Sequence, residues 1–135
     1  MTKSTGTYIS RGKQKYLTVR NLDTINIDNG SGTTADYLLF YTPDDIVIVD
    51  AYAVYVEATD TTGAQVATVS IGTTVGGVDI VNVNALAAAK AVGSTTALTL
   101  LATSVAASTT LFIRHTGIAS TEAGTYFVQL RYFNR

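Results

Sequence analysis

From residue 37 to residue 133 the sequence repeats one pattern seven times: a short run of β-branched, aromatic and other apolar residues, closed by a cluster of Gly, Asn, Asp, Thr or Pro. The runs are 37–41, 46–58, 66–71, 78–83, 97–102, 110–115 and 125–133. A period of two places successive side chains on opposite faces of a pleated strand, and short strands at this spacing predict an all-β chain folded as an antiparallel β-sandwich. A jelly roll and an immunoglobulin-like order share the pattern, because pairing order is not written in local periodicity.

The longest run, 46–58, is apolar on both sides. Strict alternation puts Ile46, Ile48, Tyr52, Val54 and Val56 on one face and Val47, Val49, Ala51, Ala53 and Tyr55 on the other. That is the mark of a central strand. Asp50 interrupts it, and a carboxylate there calls for a bulge, an edge or a hydrogen-bonded partner. The final run sets Tyr126, Val128, Leu130 and Tyr132 against Phe127, Gln129, Arg131 and Phe133. The Gly-rich stretch 72–77 has no Lys-Ser or Lys-Thr after it and reads as a hairpin turn, not a phosphate cradle. Residues 84–93 predict one or two helical turns, with Asn84 as cap and Gly93 as stop.

Charge is distributed by segment. Residues 1–20 hold Lys3, Arg11, Lys13, Lys15 and Arg20 and no acid; residues 21–89 hold nine acids and no base. The first fifteen residues have only Tyr8 and Ile9 as apolar anchors, too few for a core. The division expected is therefore a basic N-terminal arm with short strands over 1–30, joined by the turn at 28–32 to a sandwich domain over 31–135. An arm of one sign on a body of the other predicts docking onto a neighbouring copy or another acidic surface. Charged residues are 14% of the chain, well under the roughly 25% of ordinary domains, so much of the surface is expected to be covered in an assembly.

Catalytic and metal chemistry find little material. Cysteine is absent, which removes thiolate ligands, disulfides and cysteine nucleophiles. His115 is the single histidine, expected at the solvent or an interface, and no nucleophile-elbow motif selects a serine to pair with it. Asp28 to Gly32 and Asp44-Asp45 are oxygen-rich turns without the ligand set of a calcium loop. Asp60, Asp79 and Glu122 offer carboxylates, but no spacing selects a glycosidase pair. The Asn29-Gly30-Ser31 sequon reads as turn chemistry. No cofactor, no membrane span and no specific nucleic acid are expected, and the chain is expected to be a binding protein and not an enzyme, made in the cytoplasm without an export signal.

Several stretches carry a likeness to a known group: 36–43 (Asp-Tyr-Leu-Leu-Phe-Tyr-Thr-Pro), the run 46–58, 68–74 (Thr-Val-Ser-Ile-Gly-Thr-Thr), the Ala-rich link 85–92, and 124–128 (Gly-Thr-Tyr-Phe-Val). In these the chain resembles the decoration, or cement, proteins of tailed-bacteriophage heads. The resemblance implies a jelly-roll-like sandwich, a homotrimer, and a place on the virion exterior bound to the major capsid protein, where it bridges neighbouring subunits and stabilises the capsid. It implies no catalytic residues. The partner-binding residues expected are those of the arm: Lys3, Tyr8, Ile9, Arg11, Lys13, Lys15, Tyr16, Leu17 and Arg20. The competing expectation is a carbohydrate-binding or host-adhesion domain of a virion appendage, with tyrosines stacking on sugar rings. Removal of residues 1–20 is expected to leave a folded body.

Overall fold

The computed structural model describes residues 16–27, 32–59, 67–86, 90–117 and 124–135. Ten strands appear in them: β1 Leu17–Arg20, β2 Ile25–Asn26, β3 Thr34–Thr42, β4 Ile46–Tyr55, β5 Thr68–Gly72, β6 Val81–Ala85, β7 Thr95–Leu98, β8 Ser104–Val105, β9 Thr109–Thr116 and β10 Thr125–Asn134. They pair entirely antiparallel into two sheets. One sheet runs β1-β10-β4-β7, with β2 continuing the β1 edge and β8 continuing the β7 edge; the other runs β3-β9-β5-β6. The chain crosses between sheets at β2 to β3, β3 to β4, β4 to β5, β6 to β7 and β8 to β9 to β10. This is the strand order of a jelly roll, two Greek keys wound into a sandwich.

The core lies between the sheets. Ile46, Ile48, Ala51, Ala53 and Tyr55 of β4 face it, with Tyr126, Val128 and Leu130 of β10 and Leu111 and Ile113 of β9. Each fully buried Ile or Leu adds roughly 1.5–3 kcal/mol. Strict alternation along β4 fails at one place. The register with β10 slips between Arg131 and Tyr132, so that Arg131 opposes Asp50 and Tyr132 opposes Ile48. Val49 is the extra residue. This bulge moves the core-facing set from even to odd numbers, so Tyr52 and Val54 point outward and Ala51, Ala53 and Tyr55 inward, the reverse of a single unbroken phase. Asp50 thereby escapes the core and meets Arg131, whose Nε lies 3.2 Å from Oδ1 while its Nη2 bonds Oδ2.

Residues 17–27 are built into the body. β1 forms four register pairs with β10, and Ile25 and Ile27 are buried in the core, so the chain that can separate from the sandwich ends before Leu17. The helix expected over 84–93 is absent among the described residues. Asn84 and Ala85 belong to β6, paired to Val69 and Thr68, and the Asn84 carboxamide oxygen accepts from Thr99 N at 3.0 Å. Sheet pairing overrides the helix propensity of Ala85. β6 also begins later than residue 78, because Asp79 is spent closing the turn: its carboxylate accepts from Thr73 N at 2.9 Å and Thr73 Oγ1 at 2.7 Å. In the same turn Gly72 and Gly77 pack backbone to backbone, leaving no room for a Cβ at Gly72.

Candidate interaction surfaces

The outward face of the first sheet is lined by one file of residues from each strand. β10 contributes Phe127, Gln129, Arg131 and Phe133; β4 contributes Val47, Asp50, Tyr52 and Val54; β1 contributes Thr18 and Arg20, with Tyr16 just before it. Antiparallel partners share a face, which is why the register alone assigns them. Both arginines on this face lie against aromatic rings, and Arg131 also pairs with Asp50. Arg20 lies over Phe127 with Cζ 3.7 Å from the ring centroid, and Arg131 lies 5.1 Å from the Tyr16 centroid. Tyr16 and Phe133 rings are 6.0 Å apart. Contacts of this kind are each worth about 0.5–1 kcal/mol on an exposed face.

Of the expected arm residues, Tyr16, Leu17 and Arg20 are therefore held against β10, with Leu17 opposite Tyr132 at the sheet edge. Lys3, Tyr8, Ile9, Arg11, Lys13 and Lys15 lie outside the described residues.

A second feature lies where the two sheets part. β1 and β3 are the edge strands of their sheets on the same side of the sandwich. Between β3 and the bend that follows β1, an open groove of about 270 Å³ is lined by Asn21, Leu22, Asp23, Asp36, Tyr37 and Leu38. Asn21 makes the bend that forms one wall: it is buried, its side-chain oxygen accepts from Val128 N at 2.7 Å, and its amide nitrogen donates to the Asp23 carbonyl. It stands in for a strand residue between β1 and β2, and so lets Leu22 and Asp23 swing outward. Leu22 is 92% exposed and Leu38 60%. Asp36 is tied to Arg114 by two 2.8 Å bonds, and the guanidinium holds its carboxyl below the ordinary value. Asp23 forms no ion pair among the described residues. The Tyr37 phenol is raised, first by burial and then by the Asp23 charge.

His115 is in the core, contrary to the solvent or interface position expected of it. Its exposure is 0%. Nε2 lies 3.2 Å from the Ile27 carbonyl, which only accepts, so Nε2 carries the proton; Nδ1 then accepts from the Tyr126 hydroxyl at 2.7 Å. Both ring nitrogens are satisfied without charge. Burial lowers the pKa of His115, outweighing the Ile27 hydrogen bond, and burial raises Tyr126 well above its ordinary value. The pair joins β9, β10 and the segment after β2 and presents no group to a substrate.

Two of the remaining acidic candidates hold turns together. Asp45 Oδ1 accepts from Ala107 N at 2.8 Å, tying the β3–β4 turn to the loop after β8. Asp79 closes the hairpin. Asp28, Asp60 and Glu122 lie outside the described residues. No group of three His, Cys, Asp or Glu side chains able to hold a metal occurs among the described residues. No helix there is long and apolar enough to cross a membrane.

No family model matches the sequence, and no curated protein matches it. Among solved structures, a chain of the one described as the cyanophage Pam1 capsid asymmetric unit superposes with a TM-score of 0.64, at 13% identity, over 96% of this chain and 92% of that one. The two share a fold from end to end. At that identity no residue role passes from one to the other.

Sequence reasoning missed the groove and the arginine-on-aromatic file. The alternation of Phe127, Arg131 and Phe133 was visible, but which strand lies beside them depends on pairing between residues more than a hundred positions apart in the chain.

Proposed function

We propose that this chain is a structural protein of a bacteriophage virion, seated on the capsid exterior, where it decorates or cements the shell by bridging neighbouring subunits of the major capsid protein. It does no chemistry of its own. The observation that carries this reading is the full-length fold similarity to a chain of a capsid asymmetric unit. The low charge of the chain supports it, as do Val47, Val54, Phe127 and Phe133 on the outward face of the first sheet, since such side chains gain from being covered. A homotrimer with arms reaching onto adjacent subunits would make several weak contacts act together, raising effective concentration without one tight site.

On the outward face of the first sheet the sugar-binding alternative meets rings that already have partners. Arg20 occupies one side of the Phe127 ring, and Tyr16 is engaged by Phe133 and Arg131.

The test is co-sedimentation of the purified chain with phage particles, with and without residues 2–15. Binding that saturates at a fixed stoichiometry and weakens on truncation is expected. A chain that never sediments with particles, or that turns over a substrate, would overturn the reading.

A further inference from the structure

The groove between β1 and β3 has no occupant in the described residues, and its character is specific. Its rims are two exposed leucines, Leu22 and Leu38, its wall is Tyr37, and Asp23 stands in it without a cationic partner among the described residues. One side of the groove is β3, an edge strand of its sheet, and the other is the bend that follows β1.

One segment of the same chain has the complementary chemistry. Residues 1–15 carry Lys3, Arg11, Lys13 and Lys15 with no acid, and Tyr8 and Ile9 as their only large apolar side chains after Met1. On an extended backbone, residues 9, 11, 13 and 15 share one side, so Ile9 is followed on that side by three consecutive cations. An apolar anchor beside a basic file is what a leucine-rimmed groove accepts when its carboxylate has no ion pair among the described residues.

We propose that residues 1–15 dock in the β1–β3 groove of a second copy of this chain, with Ile9 between Leu22 and Leu38 and a basic residue on Asp23. The second copy is favoured by direction. The chain enters β1 at Tyr16, held over Phe133 and Arg131, whereas the groove lies beyond the opposite end of β1, at Asn21 to Asp23. Docking at home requires the arm to reverse along its own strand. From Tyr16 back to Ile9 the chain is seven residues long and reaches at most about 25 Å when extended, so the second copy must adjoin this edge of the sandwich. The inference does not rest on the capsid reading, and its test uses no capsid.

The absence of cysteine makes the test direct. Full-length Ile9→Cys, carrying a size tag, is mixed with full-length Leu38→Cys under mild oxidation, and the disulfide-linked heterodimer is quantified. Ile9→Cys mixed with Val75→Cys, an exposed position on the β5–β6 turn, is the control. Circular dichroism checks that each variant is folded. The expected heterodimer yield is about five-fold above the control, and Asp23→Lys in the Leu38→Cys chain brings it down to the control level. A yield equal to the control, or one indifferent to Asp23→Lys, overturns the proposal. So does a double variant, Ile9→Cys with Leu38→Cys, that closes only within a monomer when diluted.

Discussion

Replacing Tyr126 by Phe removes a single oxygen from the centre of the sandwich and should cost far more than its size. The ring keeps its packing against Tyr55, at 6.4 Å between centroids, and against His115, at 5.5 Å. What is lost is the donor to His115 Nδ1, in a place where neither side chain has any exposure to water. An acceptor stranded in such a site costs about 1–3 kcal/mol. For a domain of this size that corresponds to a fall in Tm of roughly 3–12 °C.

The same pair sets a pH dependence. In the unfolded chain His115 binds a proton below about pH 6.5, whereas in the folded chain burial lowers its pKa. Its contribution to stability is therefore fully present above 6.5 and is lost as pH falls toward the lowered folded value. Where the unfolded state holds one proton more than the folded one, the slope reaches about 1.4 kcal/mol per pH unit. His115 is the only histidine, so no other side chain has an ordinary pKa between 5.5 and 7.5. Urea unfolding followed by tyrosine fluorescence and far-ultraviolet circular dichroism, at steps from pH 8 to 5.5, measures both effects. The midpoint should move while the m-value holds, and His115→Phe should flatten the profile across this window. A wild-type midpoint that is level from pH 7.5 to 5.5, together with an unshifted Tyr126→Phe, would falsify the assigned proton arrangement.

Other perturbations separate structural from surface roles. Deleting residues 2–15 should leave the unfolding midpoint within about 0.5 kcal/mol of wild type, while deleting 2–20 strips the four β1 pairs and the Arg20 contact from β10 and should cost several times more, read from the same urea curves. Gly72→Ala forces a Cβ into the Gly77 backbone and should lower stability by roughly 2 kcal/mol or more; a neutral result would mean the turn is not closed as described. Arg114→Ala breaks the bidentate pair with Asp36 on an exposed face and should cost no more than about 1 kcal/mol, diminishing further in high salt. Asp50→Ala leaves Arg131 without its partner at the bulge, and a similarly small loss is expected because Arg131 is substantially exposed.

Most strands were legible because an antiparallel sandwich buries one face of each, and the period of two survives wherever no residue is inserted. β10 obeys that rule along its buried half, and its inward set is the one the alternation assigns. β4 departs from it at the bulge, and the sole local trace of that event is Asp50, a carboxylate that a single unbroken phase would have placed among core-facing residues. Sequence reasoning identified the anomaly and not its consequence, since a one-residue slip exchanges the faces of everything on one side of it. Arg131, the residue that receives Asp50, stands 81 positions away and is chosen by register. His115 misled for the opposite reason. A polar ring between Arg114 and Thr116 looks exposed by composition, yet the strand phase that buries Leu111 and Ile113 carries the next odd position inward as well. The ring is tolerated there because Tyr126 and the Ile27 carbonyl arrive from two other segments with one donor and one acceptor. Periodicity can thus place a side chain on a face, whereas the partners that make its burial affordable belong to the fold.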